Sequence, residues 1–199
     1  TFLFGHARLS MSRTYFYLMD DLEVKSSAQL WDWFAENHTL DESIRLVTWK
    51  AAHPEKYVAR EDVLDALIAH GWIDGRRFVV DDNRTAQLIS RRKQQAWSTT
   101  YKDRVERLRR EGRMHPAGEA MVAIGRESGL WSFFDDVDAL IVPKDLAEEL
   151  DQEHWDAFAP SYRRNVLRWI KIAKTPPTRA TRIAKVVEAT RDNRKLPQM

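Results

Sequence analysis

The chain contains no cysteine. Disulfides, thiolate catalysis and cysteine-based zinc sites are therefore excluded. The absence fits a reducing compartment, so a cytoplasmic location is expected. No apolar run approaches the roughly 20 residues needed to span a bilayer, and no membrane insertion is expected. Residues Thr1–Met19 are apolar in patches, but Arg8 and Arg13 interrupt them. The unbroken apolar stretch and small-residue cleavage site of a signal peptide are both missing. Because the chain begins with threonine, Met11 is expected to be the natural start and residues 1–10 to be extraneous.

Other absences narrow the chemistry. Neither a Walker pattern nor a dinucleotide fingerprint is present, which argues against nucleotide hydrolysis and nicotinamide chemistry. No cofactor is expected. The six histidines (His6, His38, His53, His70, His115 and His154) include no pair with ligand spacing on one helix, so no metal is expected either. Ser98 lacks the Gly-x-Ser-x-Gly elbow of a serine nucleophile. No internal repeat and no low-complexity segment is visible. These absences lean against an enzyme and leave the catalytic assignment empty.

What is present suffices for one core, or for one core with a helical appendage: 199 residues, 43% of them hydrophobic. Eight tryptophans carry much of that burial, and packing is their ordinary use. The net charge of +2 conceals strong blocks. Residues 20–75 carry −7, residues 76–115 carry +7, residues 116–159 carry −9 and residues 160–199 carry +9. Adjacent blocks of opposite sign can neutralise one another within one fold. Alternatively, the basic end meets an external anion such as nucleic acid, an acidic protein or anionic lipid.

Periodicity places a helix over 28–37, with Leu30, Trp31, Phe34 and Ala35 on one face and Ser26 or Ser27 as cap. A strand over 44–50 is apolar on both faces, which predicts a central position. A helix over 60–70 presents Val63, Leu64, Leu67 and Ile68 and ends at Gly71. His70, just before that glycine, suits a cation on the helix dipole. Strands over 73–80 and 84–90 are joined by Asp81-Asp82-Asn83, residue types that tolerate the positive φ of a tight hairpin.

Helices follow over 100–111, with Thr100 and Asp103 spaced as a capping box, and over 116–127, with Pro116 in the first turn. Residues 129–143 are expected as loop, Asp135-Asp136 arguing against regular structure there. Short helices are expected from Pro143 to near Leu150 and over 153–158. The clearest helix, 162–173, aligns Tyr162, Val166, Trp169, Ile170 and Ala173. A last helix, 178–191, follows the break at Pro176-Pro177. The fold class is therefore α+β, a small antiparallel three-stranded sheet with packed helices followed by a helical C-terminal region. The expected organisation is an extension over 1–21, partly disordered or extraneous, an α+β core over 22–140 and a helical region over 141–195.

Several motifs, in order, resemble one bacterial family. They are Gly71-Trp72-Ile73-Asp74-Gly75, Arg91-Arg92, Trp97-Ser98, Glu111-Gly112-Arg113-Met114 with Pro116-Ala117-Gly118, and Trp131. Pro143-Lys144-Asp145-Leu146, Tyr162-Arg163-Arg164 through Trp169, Ala173-Lys174, Thr178-Arg179 and Arg182-Ile183-Ala184-Lys185 continue the set. Together they are similar to the YdeI/OmpD-associated (bacteriocin-protection, OmdA-like) family over roughly residues 22–195. The chain departs from the family pattern at Ser90, Tyr101, Pro177 and His70, the last at an aromatic position. The resemblance implies a bacterial stress or antimicrobial-resistance protein.

Two groups of residues stand out as sites. Trp72, Asp74, Arg91, Arg92, Trp97 and Ser98 are expected to hold an anionic or planar ligand, or a protein partner. Guanidinium groups grip oxyanions bidentately, and an indole face stacks a planar group or a cation. The structural alternative is an Asp–Arg pair at a seam. Arg163, Arg164, Arg168, Lys174, Arg179 and Arg182 form the second group, which would contact an anion or track nucleic-acid phosphates. Its alternative is a solvated outer face opposite the acidic 116–159 block. An enzyme using His115 or Asp74 as acid and base is a third possibility.

Overall fold

The computed structural model describes residues 21–197. The expectations for residues 1–20, Met11 as natural start among them, lie outside the described residues. The chain divides into two units. The first holds the described residues up to Gln95 together with Asp103–Ile124, the second Ala96–Lys102 and the described residues from Gly125 onward.

In the first unit, Ser26 takes an extended backbone and its hydroxyl accepts from the Gln29 N–H, starting α1 (Ser27–Asn37). Leu30 and Phe34 are the buried face of α1. The other helix that reads clearly from its stripe, α2 (Arg60–Ala69), is buried over every residue from Val63 to Ala69, Asp65 included. A helix apolar enough on one side to meet a sheet is here covered on its other sides as well.

Among the described residues the sheet has four strands, β1 (Asp21–Glu23), β2 (Ile44–Trp49), β3 (Trp72–Val79) and β4 (Arg84–Arg91), in the order β1-β2-β4-β3. The expected three-stranded antiparallel sheet is thus corrected to a mixed one. The three expected strands are antiparallel, and β1 adds to β2 in parallel, Leu22 opposite Leu46. Three residues with one apolar side chain between two acids carry no period to read, so this short edge strand has no sequence signature. The central position expected of β2 holds, since β1 and β4 flank it. A register shift between Asp74 and Arg77 interrupts the β3–β4 pairing.

The β3–β4 turn corrects a second expectation. None of Asp81, Asp82 and Asn83 adopts positive φ. The Asp81 carboxylate instead accepts from the Asn83 and Arg84 N–H groups at 2.9 and 2.7 Å, so a side chain closes the turn. Lys50 donates to the Asp81 and Asp82 carbonyls from outside.

Helices α3 (Thr99–Arg110) and α4 (Pro116–Glu127) follow, α4 spanning the residues that the sequence predicts. Thr100 lies inside α3 and so is not its cap. The first turn of α4 comes against the end of α2. His115 N–H donates to the Ala69 carbonyl at 3.1 Å, and a Cβ on Gly118 would overlap that same oxygen. Gly118→Ala is therefore expected to destabilise the protein by about 1–3 kcal/mol, as overpacking does. A thermal melt within error of wild type would show that the contact yields freely.

In the second unit, α5 (Asp135–Asp138), α6 (Lys144–Ala147), α7 (Gln152–Ala157), α8 (Pro160–Lys171) and α9 (Pro176–Arg191) enclose a second apolar cluster. Its members include Phe134, Val137, Leu146, Trp155, Val166 and Ile183. The helix α5 lies where a loop is expected. Its aspartates argued against regular structure, yet carboxylates at the start of a helix complement the positive end of its dipole. Pro176 and Pro177 likewise open α9 rather than only breaking the chain, with Thr175 as the cap. Among the described residues no helix is long and apolar enough to cross a membrane.

Candidate functional site

The six residues expected to cradle a ligand are placed differently from one another. Trp72 is fully buried, and its Nε1 donates to the His38 carbonyl at 2.9 Å. Asp74 accepts from Gln87 Nε2 at 3.0 Å. Arg91 pairs with Asp41 at 3.0 Å near the surface. Arg92 is buried and donates to the Gln95 carbonyl at 3.0 Å. These four belong to the first unit, whereas Trp97 and Ser98 belong to the second. Trp97 is 2% exposed and packs against Trp131, their ring centres 5.1 Å apart. With Trp72 and Trp97 both buried, neither offers solvent a face on which a planar ligand could stack. Ser98 lines a cavity.

Three histidines from different elements meet in the first unit. His115 lies 4.4 Å from His38 and 5.0 Å from His70 between ring centres, and the His70 and His115 rings stack. Stacked rings do not aim their in-plane lone pairs at a common point, and no group of described residues could hold a metal ion. His70 Nδ1 donates to the Ala66 carbonyl at 2.8 Å. Burial, with His115 and His38 nearby, pushes the His70 pKa down to about 4 against that hydrogen bond. The expected dipole-complementing cation is thus a neutral imidazole. His115 is likewise held below the usual range, by burial and then by His38. Its Nδ1 accepts from the Ala117 N–H.

A polar cavity in the second unit is built from three elements. Trp97 N–H donates to the Leu130 carbonyl, and the Ser98 carbonyl then accepts from Tyr101 and Lys102, so that α3 begins at Thr99. From α8, Arg164 and Arg168 stand four residues apart and share a helix face. From α5, Asp138 lies between them and α3. Its Oδ2 accepts from Thr99 Oγ1 at 2.6 Å and Thr99 N–H at 3.3 Å. Its Oδ1 faces Arg164 Nε at 3.7 Å and Arg168 Nη2 at 3.9 Å. Ser98, Thr99, Thr100, Asp138, Arg164 and Arg168 line a cleft of about 280 Å³.

Both guanidinium distances exceed hydrogen-bonding range. Arg168 lies over the Phe134 ring at 4.8 Å, and its buried Nε finds no partner among the described residues. Two cations, hydroxyls and the positive end of α3 thus face a single carboxylate. Such a donor set suits an oxyanion. The sequence named Ser98, Arg164 and Arg168, but in two separate groups. It missed Thr99, Thr100 and Asp138, the last because its segment read as loop. The signal that could have found Asp138 is the acidic run Asp135-Asp136-Val137-Asp138 before a helix whose arginines stand four apart.

Three other basic residues, Arg163, Lys171 and Arg179, face carboxylates of the acidic 116–159 block. Arg163 meets Asp156 at 2.7 Å, Lys171 meets Asp136 at 2.5 Å, and Arg179 grips Asp145 with two bonds of 2.7 and 2.8 Å. Arg182 donates to the Trp169 carbonyl and lies over its ring. Lys174 is exposed in the turn between α8 and α9. A second, smaller cavity of about 130 Å³ has apolar walls from Val137, Ile141, Leu167 and Ile170.

Two family models match the chain. One, described as a domain of unknown function (DUF8412), matches residues 22–121. The other, described as Bacteriocin-protection, YdeI or OmpD-Associated, matches residues 139–193, which include Arg164 and Arg168. Among curated proteins and among solved structures, nothing matches. The motifs from Gly71 to Gly118 thus fall within the first match, and those from Pro143 to Lys185 within the second.

Proposed function

Since the chain belongs to the DUF8412 domain family and carries a Bacteriocin-protection, YdeI or OmpD-Associated domain at residues 139–193, we propose that it is a bacteriocin-protection-like protein that acts by binding an anionic ligand in the cleft of Arg164 and Arg168. The observation that carries this reading is the pair of guanidiniums held 3.7 and 3.9 Å from Asp138, outside hydrogen-bonding range, at the wall of a cleft of about 280 Å³. Guanidiniums without close acceptors retain their donors for a ligand, and hydroxyls from α3 add neutral donors beside them. The Arg91 and Arg92 junction is the weaker candidate, because its indoles are buried and Arg91 is already paired with Asp41.

The test is calorimetric titration of the full chain with pyrophosphate at low salt. Wild type is expected to bind, and Arg164→Ala with Arg168→Ala to lose roughly 100-fold in affinity, as two charge-assisted contacts disappear. Equal affinity in the double variant would remove the cleft from consideration. A wild type that binds neither pyrophosphate nor inorganic phosphate would end the reading.

A further inference from the structure

Asp138 occupies the point where the donors of the cleft converge. One oxygen caps α3 through Thr99, and the other faces both guanidiniums. An oxyanion entering the cleft would seek the same donors. We infer that Asp138 is a resident competitor for the cleft, and that the ligand able to share or displace it carries a phosphoryl-type oxyanion rather than a lone carboxylate. The inference rests on the cleft being the binding site and adds which anion it takes and what opposes it.

The argument is one of reach and charge. A carboxylate has two oxygens, and Asp138 spends one on Thr99 N–H and Oγ1. The other is left to two guanidiniums and reaches hydrogen-bonding distance to neither. A phosphoryl group brings three acceptor oxygens and a charge between one and two at neutral pH. It can meet α3 and both arginines together, since Arg164 and Arg168 both line the cleft. A second carboxylate would offer no more than Asp138 already does while adding its repulsion. The resident aspartate opposes every anion, so the one that binds is the many-toothed one whose contacts to both arginines and α3 outweigh that repulsion.

Asp138→Asn tests this directly. The asparagine carbonyl can still accept from Thr99, so the cap on α3 is retained while the charge is removed. Pyrophosphate affinity is expected to rise roughly tenfold or more, the scale of deleting a like charge some 4 Å away. Acetate, inert toward wild type, is expected to begin to bind. A second measurement needs no variant: wild type should bind inorganic phosphate and pyrophosphate in preference to acetate at equal ionic strength. Wild type binding acetate as well as phosphate would overturn the inference, as would a folded Asp138→Asn whose pyrophosphate affinity is unchanged or weaker. In both cases the cleft would stand as the anion site. If neither protein binds any of these anions, the inference and the cleft reading fall together.

Discussion

Replacing Asp65 with alanine is expected to remove about 2–3 kcal/mol of stability, the scale of losing a buried hydrogen bond to a charged group. Asp65 sits on α2 with its side chain 5% exposed and accepts from Arg104, whose side chain is 7% exposed. Arg107 reaches the same carboxylate at 2.5 Å, and Arg113 approaches at 3.7 Å. Burial alone would lower the Arg104 pKa, but its bonds to Glu61 and Asp65 more than reverse this, and the guanidinium stays charged. Without Asp65, Arg104 retains the Glu61 carboxylate and carbonyl at the edge of the cluster. Arg107 and Arg113 can turn to Glu111, which each already touches. The loss therefore falls mainly on Arg104.

Urea unfolding followed by circular dichroism measures it, and a loss below about 1 kcal/mol would show that water reaches Arg104 freely. Asp65→Leu combined with Arg104→Met should recover most of the stability, since replacing both partners of a buried pair by apolar groups is often neutral.

Asp65 also marks where reading the chain stops. The α2 stripe of Val63, Leu64, Leu67 and Ile68 was legible because apolar residues at helical spacing announce one buried face. That Asp65 is buried too depends on arginines some forty residues later, and no local period encodes it. The same division runs through the fold. The start of helix α4 could be read from Pro116, and β2 from its two apolar faces. The strand β1 could not, because three residues at a sheet edge carry no pattern. Helix α5 was hidden because its aspartates, good at a helix start, also favour loops.

In the cleft, arginines four residues apart on an amphipathic helix were visible, whereas their convergence with α3 on Asp138 is a matter of tertiary packing. The tryptophans invited a stacking role. With Trp72 and Trp97 buried, packing is the use the structure makes of both.

Lowering the pH from 7 to 4 is expected to cost the protein about 3 kcal/mol through His70 alone. Its ring is 4% exposed, stacks on Phe34 at 5.2 Å and meets the edge of Trp31 at the same distance. In the unfolded chain it titrates near 6.5, and in the folded one burial pushes it down to about 4. Between those values the unfolded state binds more protons. Stability is therefore complete above pH 6.5, declines as pH falls through the window, and reaches its full loss below about pH 4. The difference of about 2.5 pH units sets the size, at about 1.4 kcal/mol each. The groups around the ring reinforce the direction. His115 and His38 both act to lower the His70 pKa, and Arg113 lies over Trp31 at 4.5 Å. His70→Asn keeps a donor where Nδ1 bonds the Ala66 carbonyl but does not titrate. It should be less stable than wild type at pH 7, through lost ring packing, yet flatter toward acid by about 3 kcal/mol. Urea midpoints at pH 7, 5.5 and 4 read the slope directly. Parallel slopes in the two proteins would mean that His70 gains its proton without unfolding, and that the stacked imidazoles yield enough to admit water.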